Sequence, residues 1–124
     1  MTDHMSSDVD YLQRAADSGN AEAMFLLGVC YAEGRKLPQS FRTAAKWFHA
    51  AVRKGHVRAT TSLGFLYSRG RGVRLDEKLA YKMFLEAQDQ GDVLAGDLAS
   101  RLRQQMSPPM LKEAERLAAN RRVG

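Results

Sequence analysis

Eleven of the thirty-six residues between Asn20 and Gly55 recur unchanged thirty-six positions later, so the chain is a tandem repeat before it is anything else. The matched pairs are Ala23 and Ala59, Leu27 and Leu63, Gly28 and Gly64, Tyr31 and Tyr67, Gly34 and Gly70, Arg35 and Arg71, Ala44 and Ala80, Lys46 and Lys82, Phe48 and Phe84, Ala51 and Ala87, and Gly55 and Gly91. Those are the residue types that stacked helices require. Small ones sit where helices approach, large apolar ones where they interlock, and glycine where the chain turns with positive φ.

Each unit reads as helix A, a seven-residue turn, helix B and a glycine junction. In the second copy, Ala59, Leu63, Leu66 and Tyr67 share one face of a helix expected over Val57 to Arg69, and Gly70 ends it. The turn GRGVRLD brings a second glycine, Gly72, an apolar Val73 to tuck under the helix pair, and Asp76 as the cap of helix B. Helix B then buries Leu79, Ala80, Met83, Phe84 and Ala87. The first copy follows suit with Ala23, Leu27, Cys30 and Tyr31 on helix A and Ser40 as the cap of helix B. Its turn has Lys36 where the second copy has Gly72, which predicts a different backbone there.

The ends are partial units. Tyr11, Ala15 and Gly19 align with Trp47, Ala51 and Gly55, which makes residues 7–19 an N-terminal half-repeat with Ser7 as its cap. Residues 20–55 and 56–91 are the two full repeats, and 92–106 is a degenerate third in which Ser100 and Arg103 replace glycine and tyrosine. After Ser107, Pro108 and Pro109, residues 107–124 hold a capping helix from Met110 to Asn120 with Leu111, Ala114, Leu117 and Ala118 on one face. The expected architecture is a single all-α domain, a right-handed α-solenoid.

Composition narrows the function classes. No apolar run approaches the roughly 18 residues of a transmembrane helix, and MTDHMSSDVD lacks the basic start and apolar core of a secretory signal, so a cytoplasmic protein is expected. The single cysteine, Cys30, cannot form an internal disulfide. Charge is polarised. Residues 1–34 hold six acids against one base, residues 35–75 ten bases and no acid, and residues 76–124 eight of each.

The units AEAMFLLGVCYAEGRKLPQSFRTAAKWFHAAVRKG and RATTSLGFLYSRGRGVRLDEKLAYKMFLEAQDQG resemble the Sel-one-like repeat family, relatives of the tetratricopeptide repeats, in their order of Ala, Leu-Gly, Tyr, Gly-x-Gly, Ala, aromatic, Ala-Ala and Gly. Lys36 for glycine and Ser40 for aspartate depart from it. The resemblance implies a bacterial adaptor or assembly factor that grips a protein or peptide on the concave surface formed by its A helices; some small members neutralise toxins or effectors.

No residue set points to catalysis. His4, His49 and His56 have neither the i, i+4 spacing nor the cysteines of a zinc site, and Gly70-Arg71-Gly72 lacks the Lys-Ser/Thr ending and preceding strand of a phosphate loop. Cys30 reads as a small core residue and His49 as a satisfied or solvated one. We therefore expect no catalytic residue, metal or cofactor. On a helical wheel Phe65 lies about 150° from the core stripe, with Arg58, Thr61 and Arg69 nearby. The equivalent faces carry Glu22, Phe25 and Val29 in the first copy and Arg101 in the third. These eight residues form the expected partner surface, with Phe25 and Phe65 as apolar anchors and Arg58, Arg69 and Arg101 as a charge-pairing rim. The alternative for the phenylalanines is packing between repeats. The basic middle suits either a solvated face or an acidic protein partner, with nucleic acid or another polyanion as the rival reading. Monomer and weak homodimer both remain open, and no membrane contact is expected.

Overall fold

The computed structural model describes residues 3–120, with side chains from Asp8 onward. Among these residues there are seven helices and no strand: α1 (Asp3–Asp17), α2 (Ala21–Glu33), α3 (Phe41–Arg53), α4 (Val57–Arg69), α5 (Glu77–Asp89), α6 (Val93–Gln105) and α7 (Pro108–Ala119). Helices α2 and α3 are A and B of the first unit, α4 and α5 those of the second; α1 acts as a preceding B helix and α6 as a following A helix. None of the described helices is long and apolar enough to cross a membrane.

The same few backbone bonds recur at the same places in each unit. Asn20, Ser40, His56, Asp76, Asp92 and Ser107 each turn a side chain onto an amide of the following helix's first turn. Helices α2 and α4 end on left-handed glycines, Gly34 at φ 69° and Gly70 at φ 63°. The chain then returns so that the Ser40 amide donates to the Tyr31 carbonyl at 2.9 Å and the Asp76 amide to the Tyr67 carbonyl at 3.0 Å. At the junctions between units, the amides of Asn20, His56 and Asp92 donate to the carbonyls of Ala15, Ala51 and Ala87 at 3.0, 3.1 and 3.0 Å.

Two recurring pairs are one physical device. A Cβ built on Gly28 would stand 2.4 Å from Phe48 Cε1, and one on Gly64 would stand 2.9 Å from Phe84 Cε1. Each helix A thus offers bare backbone to a ring from its own helix B, which is why glycine and phenylalanine recur together. Phe48 is 3% exposed and Phe84 1%.

Three local expectations need correction. Helix α1 starts at Asp3, so Ser7 lies inside it rather than capping it. Lys36 adopts φ 66°, the same left-handed conformation as Gly72 at φ 72°, so the two turns share a backbone despite the substitution. Its ammonium reaches Asp8 Oδ2 of α1 at 2.9 Å, which offsets part of the roughly 1–2 kcal/mol that a side chain costs in this region. Helix α7 begins at Pro108 rather than Met110, because prolines fit the first positions of a helix, where no amide donor is needed.

The core runs through two clusters, one binding α1 to α4 and the other gathering α5, α6 and α7. Ala114 and Ala118 of α7 are buried against that second cluster, and α7 packs on α5. The closing helix therefore sits behind the array and leaves the outer side of α2, α4 and α6 uncovered.

Candidate functional site

Those three A helices wall an open groove of about 560 Å³. Val29 and Ala32 come from α2, Phe65 and Leu66 from α4, Leu94 and Leu98 from α6, and the edge of Phe48 shows between them. Phe41 and Arg71 line it as well, with the Arg71 guanidinium 5.3 Å from the Phe41 ring centroid. The lining is mainly apolar, and some of its polar groups are already engaged: Gln39 donates to the Ala32 carbonyl at 2.9 Å, and Thr61 donates to Asp92 Oδ2 at 2.5 Å. A smaller pocket of about 160 Å³ adjoins it between α4 and α6, sharing Phe65 and Leu98 and adding Ser68, Arg69, Arg101 and Gln105.

The eight expected site residues divide. Val29, Thr61 and Phe65 line the groove, and Arg69 and Arg101 line the adjoining pocket. Glu22, Phe25 and Arg58 line neither. Phe25 is only 3% exposed, so it is no open anchor. Its ring stacks on His56 at 4.6 Å, leans on Phe48 at 5.9 Å and is roofed by the Arg58 guanidinium at 4.7 Å. Thr61, its counterpart in the second copy, is 4% exposed beneath Asp92. His56 and Asp92 stand at the same place in successive units, each thirty-one residues beyond the side chain it covers. This position of helix A is thus an inter-repeat contact, roofed by the first turn of the next unit.

Glu22 belongs to the same junction. His56 accepts the Ala59 amide on Nδ1 at 3.1 Å, which leaves the proton on Nε2 to donate to Glu22 Oε1 at 2.7 Å. His49 is satisfied too, with Nε2 3.2 Å from the Tyr67 hydroxyl. Burial, and after it the Arg53 charge, hold the His49 imidazole below its ordinary 6.5. The unfolded chain therefore binds a proton more readily than the folded one just below pH 6.5, so this contribution is complete above that value and lost as pH falls through the lowered one. His49→Gln, which keeps a donor for Tyr67, should flatten the acid side of a melting-temperature profile; parallel curves would mean that His49 is not perturbed.

Phe41, Arg71 and Leu98 were not among the expected site residues. Arg71 did leave a signal, since it recurs as Arg35 in a turn where most positions vary. Phe41 left none, because its counterpart is Glu77. Cys30 is half-buried and unbridged, and no three His, Cys, Asp or Glu side chains among the described residues gather closely enough to hold a metal.

The Sel1 repeat model matches residues 9–20, 21–56 and 57–92. The chain belongs to the Sel1 repeat family. Sel1 repeats generally mediate protein–protein interaction. Among solved structures, a Sel1 repeat protein from Oxalobacter formigenes is 37% identical, with a TM-score of 0.72 over 74% of this chain and 27% of the other. Protective antigen c5321 of uropathogenic Escherichia coli, which displays an SLR fold, is 28% identical with a TM-score of 0.80 over 98% of this chain and 27% of the antigen. Cysteine-rich protein B of Helicobacter pylori is 27% identical with a TM-score of 0.68 over 73% of this chain and 68% of the other. The Sel1 array described here thus spans about a quarter of the length of the first two. No curated protein matches the chain.

Proposed function

We infer that this Sel1 array is a non-catalytic module that holds a segment of a protein partner in the groove of α2, α4 and α6. The observation that carries this reading is the groove itself, apolar, about 560 Å³ and left open by a closing helix that packs elsewhere. Val29, Phe65 and Leu98 offer apolar surface to an entering side chain, and water released from that surface favours docking. Capture of a bacterial effector or toxin is one form such binding takes.

The rival, nucleic acid, has less support. Single strands are held by stacking bases on open aromatic faces. Here guanidiniums of Arg58, Arg69 and Arg71 lie over Phe25, Phe65 and Phe41.

The test is capture by the immobilised chain from the cell that makes it, compared between wild type and Phe65→Ala. Loss of the same proteins by about tenfold or more is expected, the size of a central interface residue. Phe65 is half-buried, so stability should fall by only about 1–2 kcal/mol, less than for a fully buried phenylalanine. An identical captured set with Phe65→Ala would remove the groove from the explanation.

A further inference from the structure

Four basic side chains are held in ion pairs: Arg35 with Glu33, Lys36 with Asp8, Arg103 with Glu115 and Arg116 with Glu113. Arg69 and Arg101, like most basic residues described, make no ion pair among the described residues; what sets them apart is that they line one pocket, the 160 Å³ cleft beside the groove. Arg101 and Arg103 illustrate the contrast on one helix. Arg103 is tied back to α7 at 3.0 Å, whereas Arg101 is left facing α4 across the pocket.

Arg69 is held in place by its own neighbour, its guanidinium 5.2 Å from the Phe65 ring centroid. A guanidinium whose face rests on a ring keeps its N–H edge available, and that planar edge matches the two oxygens of a carboxylate. Two unpaired cations around one small pocket also repel each other, a cost that an incoming anion removes. Ser68, with its hydroxyl donating to the Phe65 carbonyl at 2.7 Å, and Gln105 complete the polar side of the pocket.

Resting on the groove reading above, we propose that the Arg69–Arg101 pocket receives the carboxylate of an aspartate or glutamate in the docked partner segment. The pocket and the apolar groove meet at Phe65 and Leu98. The recognised segment therefore carries a large apolar residue with an acidic residue within about one helical turn of it, the separation that lets both reach their pockets together. The pocket's volume suits one side-chain head group rather than a polymer backbone.

Random peptides displayed on phage and panned on the immobilised full chain test this. Wild type should enrich sequences that pair Asp or Glu with Leu, Ile, Phe or Met within four residues. A synthetic peptide from that set should bind the Arg69→Gln/Arg101→Gln variant at least tenfold more weakly, and its salt dependence should become shallower. A Lys54→Gln/Lys112→Gln variant, which removes the same charge away from the groove, should bind it as wild type does. Both Arg69 and Arg101 are exposed, so thermal melts of the double variant should match wild type. Enrichment of apolar residues without acids would overturn the carboxylate pocket and leave the groove reading intact. Equal loss in both double variants would replace the pocket with a diffuse field. Failure to enrich any sequence would end both readings, and full displacement of the peptide by a random-sequence single-stranded DNA would reassign the surface to nucleic acid.

Discussion

Replacing Phe84 by alanine is expected to remove about 3–5 kcal/mol of folding stability, the range for emptying a fully buried aromatic site. The ring is 1% exposed, abuts the bare backbone of Gly64, and packs with Ala80, Ala95 and Ala114 from α5, α6 and α7. It also forms part of the floor of the Arg69–Arg101 pocket. Where the cost falls in that range depends on how far Leu98, Leu102 and the other large side chains of the cluster can move into the void. A single domain of this size has only about 5–15 kcal/mol in total, so much of the array's stability depends on this ring. Urea unfolding of the variant measures the loss, and a change below about 1 kcal/mol would mean that the ring and Gly64 do not interlock.

Gly72→Ala should be the second large effect, and its cause differs. The residue sits at φ 72°, and an added Cβ would meet the Phe41 carbonyl carbon at 2.3 Å and its oxygen at 2.4 Å. Those are backbone atoms at the start of α3, so no rotamer change relieves the contact and the turn has to move. Left-handed strain contributes roughly 1–2 kcal/mol. Displacement of the turn adds to it, so a loss of at least about 2 kcal/mol is expected. Arg71 should move with the turn and leave Phe41, altering the lining of the groove. The first unit carries a lysine in the same conformation, and its ammonium finds Asp8. A melting temperature unchanged by Gly72→Ala would show that this turn is free to shift.

The helices were legible because their stops and starts are written in local chemistry. Gly34 and Gly70 end α2 and α4, and Ser40 and Asp76 begin α3 and α5, each within a few residues of the group it satisfies. A repeat period then carries those local signals from one unit to the next. Phe25 was not legible in the same way. A helical wheel treats α2 as an isolated cylinder and puts that ring on its outer face, but the groups that cover it, His56 and Arg58, belong to the following unit. Phe41 and Arg71 were missed because they come from a turn and a helix start, where no periodicity marks which way a side chain faces. The position of α7 lay beyond sequence for a related reason. Its apolar stripe of Ala114 and Ala118 says that one face is buried, but not that the burying surface is α5 rather than its chain neighbour α6.

The glycine and phenylalanine that interlock within each unit bear on how such an array lengthens. Gly28 meets Phe48 and Gly64 meets Phe84, so both hairpins are closed by the same kind of contact, which holds their thickness similar. Copies of similar thickness bend the stack by similar steps, so duplicating one unit in the gene would prolong the channel with little change in its radius. A lineage that enlarged the glycine would have to shrink the ring in the same unit, and the two positions should be inherited as a pair.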